Sequence, residues 1–180
     1  MLTTDKSVLV IIDVQGKLAQ VMQQSPELHK QLGILIQGAQ LFDMPILWVE
    51  QLPDKLGGTT EELAALLSKT TQVIPKSYFS AWQSPEFQQQ LARLNRTDII
   101  LAGIETHVCV YQTCQDLLSN RYNVHLVADA VSSRTVENKQ LGIQMMTQLG
   151  ARTTNTESCL FELQHQASGE RFKSLLKLIK

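Results

Sequence analysis

Aliphatic residues fall along this chain in short unbroken runs, separated by stretches where they recur every three or four positions. Four runs are continuous: SVLVIIDV from Ser7, PILWVE from Pro45, DIILAG from Asp98 and NVHLVADA from Asn123. A strand with one wet face alternates apolar and polar residues, so runs without alternation predict strands covered on both faces, as in a parallel sheet. Two weaker strands are predicted around Val73–Ile74 and Ala151–Thr154. Between them, Ser25-Pro26-Glu27 and Ser84-Pro85-Glu86 each offer an N-cap, a proline at the first helical position and an acid in the first turn. Thr59 and Glu62 have the spacing of a capping box. The segment from Val136 to Leu149 has helical periodicity and stops near Gly150. Strand and helix alternate throughout, and right-handed crossovers then predict an α/β fold. The expected form is a three-layer α/β/α sandwich around a mostly parallel, Rossmann-like sheet of about six strands.

Composition narrows the class. The chain has 180 residues, 43% hydrophobic and 18% charged, a globular balance with no repeats and no evident linker, so residues 1–180 are expected to form a single domain. A net charge of -1 provides no global field toward nucleic acid or anionic lipid. Lys173, Lys177 and Lys180 are spaced as one solvated face of a terminal helix. No apolar run reaches the ~18 residues of a membrane span, and the N-terminus runs into a strand pattern rather than a cleavable leader. Cys109, Cys114 and Cys159 are odd in number and lack a CxxC pair, which argues for a reducing, cytoplasmic setting.

Open α/β sheets bind ligands beyond the C-terminal ends of their strands. The first strand ends at Asp13, a carboxylate that needs a partner if buried; it serves equally well as a cap for nearby backbone. The third ends at Pro75-Lys76, where a lysine is either part of the rim chemistry or simply exposed. The fourth leads through GIETHV to Cys109, with a helix expected to start at about that residue. A helix N-terminus and a neighbouring ammonium both favour a thiolate, although cysteine is also a common small core residue.

Taken together, Asp13 with Gln15, Pro75-Lys76, GIETHVCV (Gly103 to Val110), VADAVSSR (Val127 to Arg134) and ESCLFEL (Glu157 to Leu163) resemble the isochorismatase-like cysteine hydrolases. That superfamily includes nicotinamidases and N-carbamoylsarcosine amidohydrolases. EQLPDKLGGT and KSYFSAW resemble the subgroup of isochorismatase-domain-containing proteins. The resemblance implies Cys109 as nucleophile, Asp13 as proton acceptor and later donor, and Lys76 as the cation holding both. It implies a cis peptide between Ile104 and Glu105, and an oxyanion hole from the backbone N–H groups of Glu105 and Cys109. It also implies a small-molecule substrate and a homo-oligomer.

The sequence departs from that pattern in informative places. Metal-dependent nicotinamidases carry histidine ligands after the second strand, where this chain reads VEQLPD, and His29, His107, His125 and His165 show no ligand spacing. No metal, no cofactor and no simple nicotinamidase activity are therefore expected. His29 and His165 are expected on solvated surface and His125 as a strand residue, while His107, in the catalytic loop, is a candidate substrate contact. Leu18 replaces an aromatic residue common in the family, leaving Phe79 and Trp82 as candidates for stacking, with Gln15 and Gln51 as polar contacts. Keeping Cys109 favours hydrolysis of a small amide or carbamoyl compound through a thioester. The alternatives are vinyl-ether hydrolysis of the isochorismate type, a silent family member acting as an interaction protein, and a redox sensor. Nucleic-acid and membrane partners find no support.

Overall fold

The computed structural model describes residues 1–180. Six strands form one sheet: β1 (Ser7–Ile12), β2 (Ile46–Gln51), β3 (Val73–Lys76), β4 (Asp98–Ile104), β5 (Asn123–Ser132) and β6 (Arg152–Thr154). Their order is β3-β2-β1-β4-β5-β6 and every pairing is parallel. β1 shows why its run lacks alternation. Leu9 and Ile11 point into one hydrophobic core, whereas Val8, Val10 and Ile12 point into another across the sheet. All are fully buried.

Nine helices cover the two faces: α1 (Gly16–Gln20), α2 (Ser25–Leu41), α3 (Pro53–Leu56), α4 (Glu61–Leu67), α5 (Pro85–Leu94), α6 (Tyr111–Ser119), α7 (Val136–Gln148), α8 (Thr156–Gln164) and α9 (Glu170–Ile179). The long α2 presents Leu28, Leu32, Leu35 and Ile36 to the first core, joined by Leu63 and Leu67 of α4 and Leu160 and Leu163 of α8. Phe87 and Leu91 of α5, Cys114 and Leu117 of α6 and Met146 of α7 fill the second. No helix is long and apolar enough to cross a membrane.

Helix starts follow the expected signals only in part. α7 begins as anticipated, with the Thr135 side chain accepting from Asn138 N at 3.2 Å. The capping box does not form, because Thr59 is drawn away. Its hydroxyl accepts from Trp48 Nε1 at 2.7 Å and its N–H donates to buried Glu50 at 2.7 Å, so α4 starts at Glu61. Ser25 is the first residue of α2 rather than its cap, and its hydroxyl donates to Ala19 O at 2.8 Å.

The chain builds outward from β1 to β3, then returns to β4 on the other side of β1 and builds outward again. Loops leaving β1 and β4 therefore diverge to opposite faces and open a crevice at their C-terminal ends. Gly103 closes the floor of this crevice. Its φ of 121° is open to glycine, and a Cβ there would run into the Ile12 backbone.

Candidate active site

Asp13 directly follows β1 in a left-handed conformation, φ 52°, and is buried. Lys76 ends β3, two strands away, and its side chain is fully buried. An ammonium has three hydrogens and no acceptor, so burial demands three acceptors. It finds Asp13 Oδ2 at 2.6 Å, Gln51 Oε1 at 2.6 Å and the Tyr78 carbonyl at 3.0 Å. The other carboxylate oxygen, Asp13 Oδ1, is buried without a hydrogen-bond partner.

Cys109 enters from β4. The peptide between Ile104 and Glu105 is cis, and Thr106–Val110 form a π-helical turn that runs directly into α6. The Glu105 carbonyl is folded back into this turn, accepting from Val108 N at 3.1 Å and Val110 N at 3.2 Å. Helix α7 supports it from behind. Gly142 lies so close that a Cβ would sit 2.7 Å from the Thr106 carbonyl carbon and 2.8 Å from His107 N.

A cavity of about 550 Å³ opens at this point, with Asp13, Cys109, Glu105, Gln51, Gln15 and Phe79 in its wall. Burial pushes the Cys109 thiol up to about 12, with the Asp13 carboxylate adding to the rise and Lys76 opposing it. Burial also raises Asp13 above its ordinary value, while Lys76, through its charge and hydrogen bond, and the nearby Cys109 thiol pull it down. The expectation of a preformed thiolate is thus corrected. Cys109 lies inside the π-turn rather than at a free helix N-terminus, and desolvation beside a carboxylate outweighs one ammonium. The pair is a neutral thiol beside a buried carboxyl group, one of whose oxygens has no hydrogen-bond partner.

Gln15 lines the cavity, but its amide is fully engaged. Nε2 donates to Gln51 O at 3.0 Å and Gly57 O at 2.6 Å, while Oε1 accepts from Gln51 N at 2.6 Å. It fastens both ends of the α3 segment over the cavity, which leaves it no free group for a polar ligand. Gln51 keeps Lys76 in place. Phe79 is more than half exposed at the rim. Trp82 and His107 lie outside the cavity wall. Trp82 packs edge-on against Tyr122 at 5.7 Å between centroids, and His107 Nδ1 meets Ser133 Oγ at 3.0 Å. His125 sits in β5, 3.9 Å from Asp98 at the opposite end of the sheet. No group of three or more His, Cys, Asp or Glu side chains is arranged to hold a metal ion.

Two partners went unremarked in the sequence. Glu105 Oε1 accepts from Arg134 Nε at 3.1 Å and Arg134 N at 3.3 Å, tying the loop after β4 to the end of β5. Glu50 lies buried at the end of β2, where it accepts from Thr59 N at 2.7 Å. An acid closing the PILWVE run was a signal for the second; nothing local signals the first.

Residues 7–158 match the model of the isochorismatase domain. The chain belongs to the isochorismatase family. Among curated relatives, a secreted isochorismatase effector of Phytophthora sojae is 38% identical over 178 residues, covering 97% of this chain and 84% of that protein. Isochorismatase domain-containing protein 2A of Mus musculus is 34% identical over 177 residues, covering 98% and 84%. Among solved structures, the MAR1 ribonuclease of Caenorhabditis elegans superposes with a TM-score of 0.93 at 35% identity, covering 99% of this chain and 91% of that one. A nicotinamidase of Bacillus subtilis shares the isochorismatase-family fold, with a TM-score of 0.75 at 17% identity over 83% of this chain and 99% of the other.

Proposed function

We propose that this isochorismatase-family protein is a cysteine hydrolase of a small amide or carbamoyl compound, with Asp13, Lys76 and Cys109 as its catalytic residues. One observation carries the reading: a buried carboxylate has one oxygen held by a buried ammonium and the other unpartnered, beside a cavity-lining thiol. Cys109 gives its proton to Asp13 as sulfur attacks the carbonyl carbon, and backbone N–H groups of Glu105 and Cys109 receive the oxyanion. Each such donor contributes ~3 kcal/mol of barrier lowering. The C–N bond breaks as Asp13 returns the proton to the leaving nitrogen, leaving a thioester. Asp13 then takes a proton from water, hydroxide attacks, the C–S bond breaks and the sulfur is reprotonated. The net reaction is amide plus water to acid plus amine.

Lys76 favours the ionised form of Asp13 against the effect of burial, and general-base catalysis of this kind contributes ~10²- to 10⁴-fold. The free, buried thiols fit a reducing compartment. The test is a screen of small amides, carbamoyl compounds, isochorismate and single-stranded RNA, the last because a relative is named as a ribonuclease. Amide turnover lost in Cys109→Ala supports the proposal. Turnover of isochorismate or RNA that survives Cys109→Ala overturns it.

A further inference from the structure

Lys76 takes one of its acceptors, the Tyr78 carbonyl at 3.0 Å, from the loop after β3, and the next residue, Phe79, stands in the cavity wall. This stretch has little to hold it locally. Tyr78 and Phe79 are both more than half exposed, and neither N–H donates to a backbone carbonyl. The fastening comes just afterwards, and it comes from α6. Buried Ser80 donates its hydroxyl to Asp116 Oδ2 at 2.7 Å, and Gln83 Nε2 donates to the same oxygen at 2.9 Å. The N–H of fully buried Ala81 donates to Thr113 Oγ1 at 2.9 Å, and Thr113 is fully buried too. A further bond, from Gln88 Nε2 to the Trp82 carbonyl at 2.7 Å, lies beyond the part that faces the site. Thr113 and Asp116 share one face of α6, the helix into which the Cys109 turn runs without a break.

We infer that Thr113 and Asp116 are positioning residues, which clasp residues 80–83 to the helix of Cys109 and thereby set the Tyr78 carbonyl against Lys76 and Phe79 in the cavity wall. Neither residue lines the cavity, so any effect on the site passes through the loop. In the sheet, β2 and β1 lie between the strand of Lys76 and the strand before Cys109. The clasp joins those two sides by hydrogen bonds that do not run through the sheet. Its donors are buried, so losing their acceptors favours a loop that swings out to water. Lys76 would then keep two acceptors for three hydrogens, and the cavity wall would lose its aromatic ring. The clasp itself presumes no chemistry; only its effect on turnover rests on the hydrolase reading.

The test compares Thr113→Val, Asp116→Ala and Asp116→Asn with wild type in three readouts. Hydrogen exchange of residues 80–84 should quicken on the order of tenfold in Thr113→Val and Asp116→Ala, with β4 unchanged. In protein labelled with 4-fluorophenylalanine, the ¹⁹F signal of Phe79, assigned by its loss in Phe79→Leu, should move in the same two variants while the other phenylalanines stay put. For the best amide, kcat/KM should fall about tenfold or more in both. Asp116→Asn keeps an oxygen that can accept from Ser80 and Gln83, so it should match wild type throughout. Ser80→Ala with Gln83→Ala removes the donors instead and should reproduce Asp116→Ala, which keeps the question open to test if that variant fails to fold. Wild-type exchange and an unmoved Phe79 signal in the clasp variants would overturn the inference. So would changes spread over β4 and all the phenylalanines, or an asparagine variant as impaired as the alanine one. If wild type turns over no amide, exchange and the fluorine signal still decide the clasp, and the hydrolase reading alone falls.

Discussion

Asp13 opposes the ionisation of Cys109, whereas the thiol favours the charged form of Asp13, and this asymmetry sets how the site responds to pH. The thiol is raised from its ordinary 9.0 to about 12 by burial and then by Asp13. A raised group binds more protons in the folded state, so its contribution to stability is complete below about 9 and is lost as pH climbs toward 12. In the proposed reaction the same coupling would let carboxylate and thiol share one proton. Asp13→Asn removes the second-largest cause of the rise while keeping Lys76. Cys109 should then alkylate with iodoacetamide faster than in wild type at pH 8, with Cys114 and Cys159 unchanged, because their elevation comes first from burial. Turnover of the best amide should meanwhile fall by ~10²-fold or more for want of a base. Reactivity and activity moving together would contradict a neutral resting thiol.

The α3 lid shows how one side chain can govern an element too short to hold itself. Four residues long and capped by no side chain, α3 cannot be stable alone. Leu52 at φ 39° and Gly57 at φ 80° turn the chain into and out of it, and Gln15 grips the backbone at both ends. Gln15→Leu fills similar space but leaves Gln51 N, Gln51 O and Gly57 O without this partner. The cost is expected at about 1–3 kcal/mol in denaturant unfolding, with faster proteolytic cutting between residues 52 and 58. In kinetics the variant should raise KM more than it lowers kcat, because the lid walls the cavity but carries no reacting atom. Gln15→Glu should not rescue it, since a carboxylate cannot donate to the two carbonyls. A larger loss in kcat than in KM would instead assign Gln15 to the chemistry.

Across the molecule, the sheet separates two hydrophobic cores and belongs to both. β1 contributes alternate residues to each, so neither core can loosen without exposing the back of the strands that bound the other. The whole chain should therefore unfold as one unit. Leu35→Ala in the first core and Phe87→Ala in the second delete fully buried side chains, costing ~2–5 and ~3–5 kcal/mol respectively. Calorimetry should show a single transition in wild type, shifted downward but still single in each variant. Two separable transitions, one answering to each substitution, would mean that the faces fold independently. Two of the three site residues rest on strands packed on both faces: Asp13 follows β1 and Cys109 follows β4, each fully buried, whereas Lys76 ends the edge strand β3.

Much of this was readable from residues alone, because strand identity follows from local patterning. Unbroken aliphatic runs specified the four long parallel strands, and strand ends pointed to Asp13, Lys76 and Cys109 as neighbours on one rim. Helices with local signals, such as the one after Thr135, could be placed; those that depend on distant partners could not. Thr59 is the instructive failure, since a sequence-adjacent cap was outcompeted by Trp48 and Glu50, which reach it only once β2 is folded. The ionisation of Cys109 was equally out of reach. Helix position and a nearby lysine are visible in sequence, but desolvation and the approach of Asp13 arise only when strands 85 or more residues apart lie side by side. Local patterns decide which elements form; the long-range geometry of their packing decides the charge on the sulfur and the segment held over it.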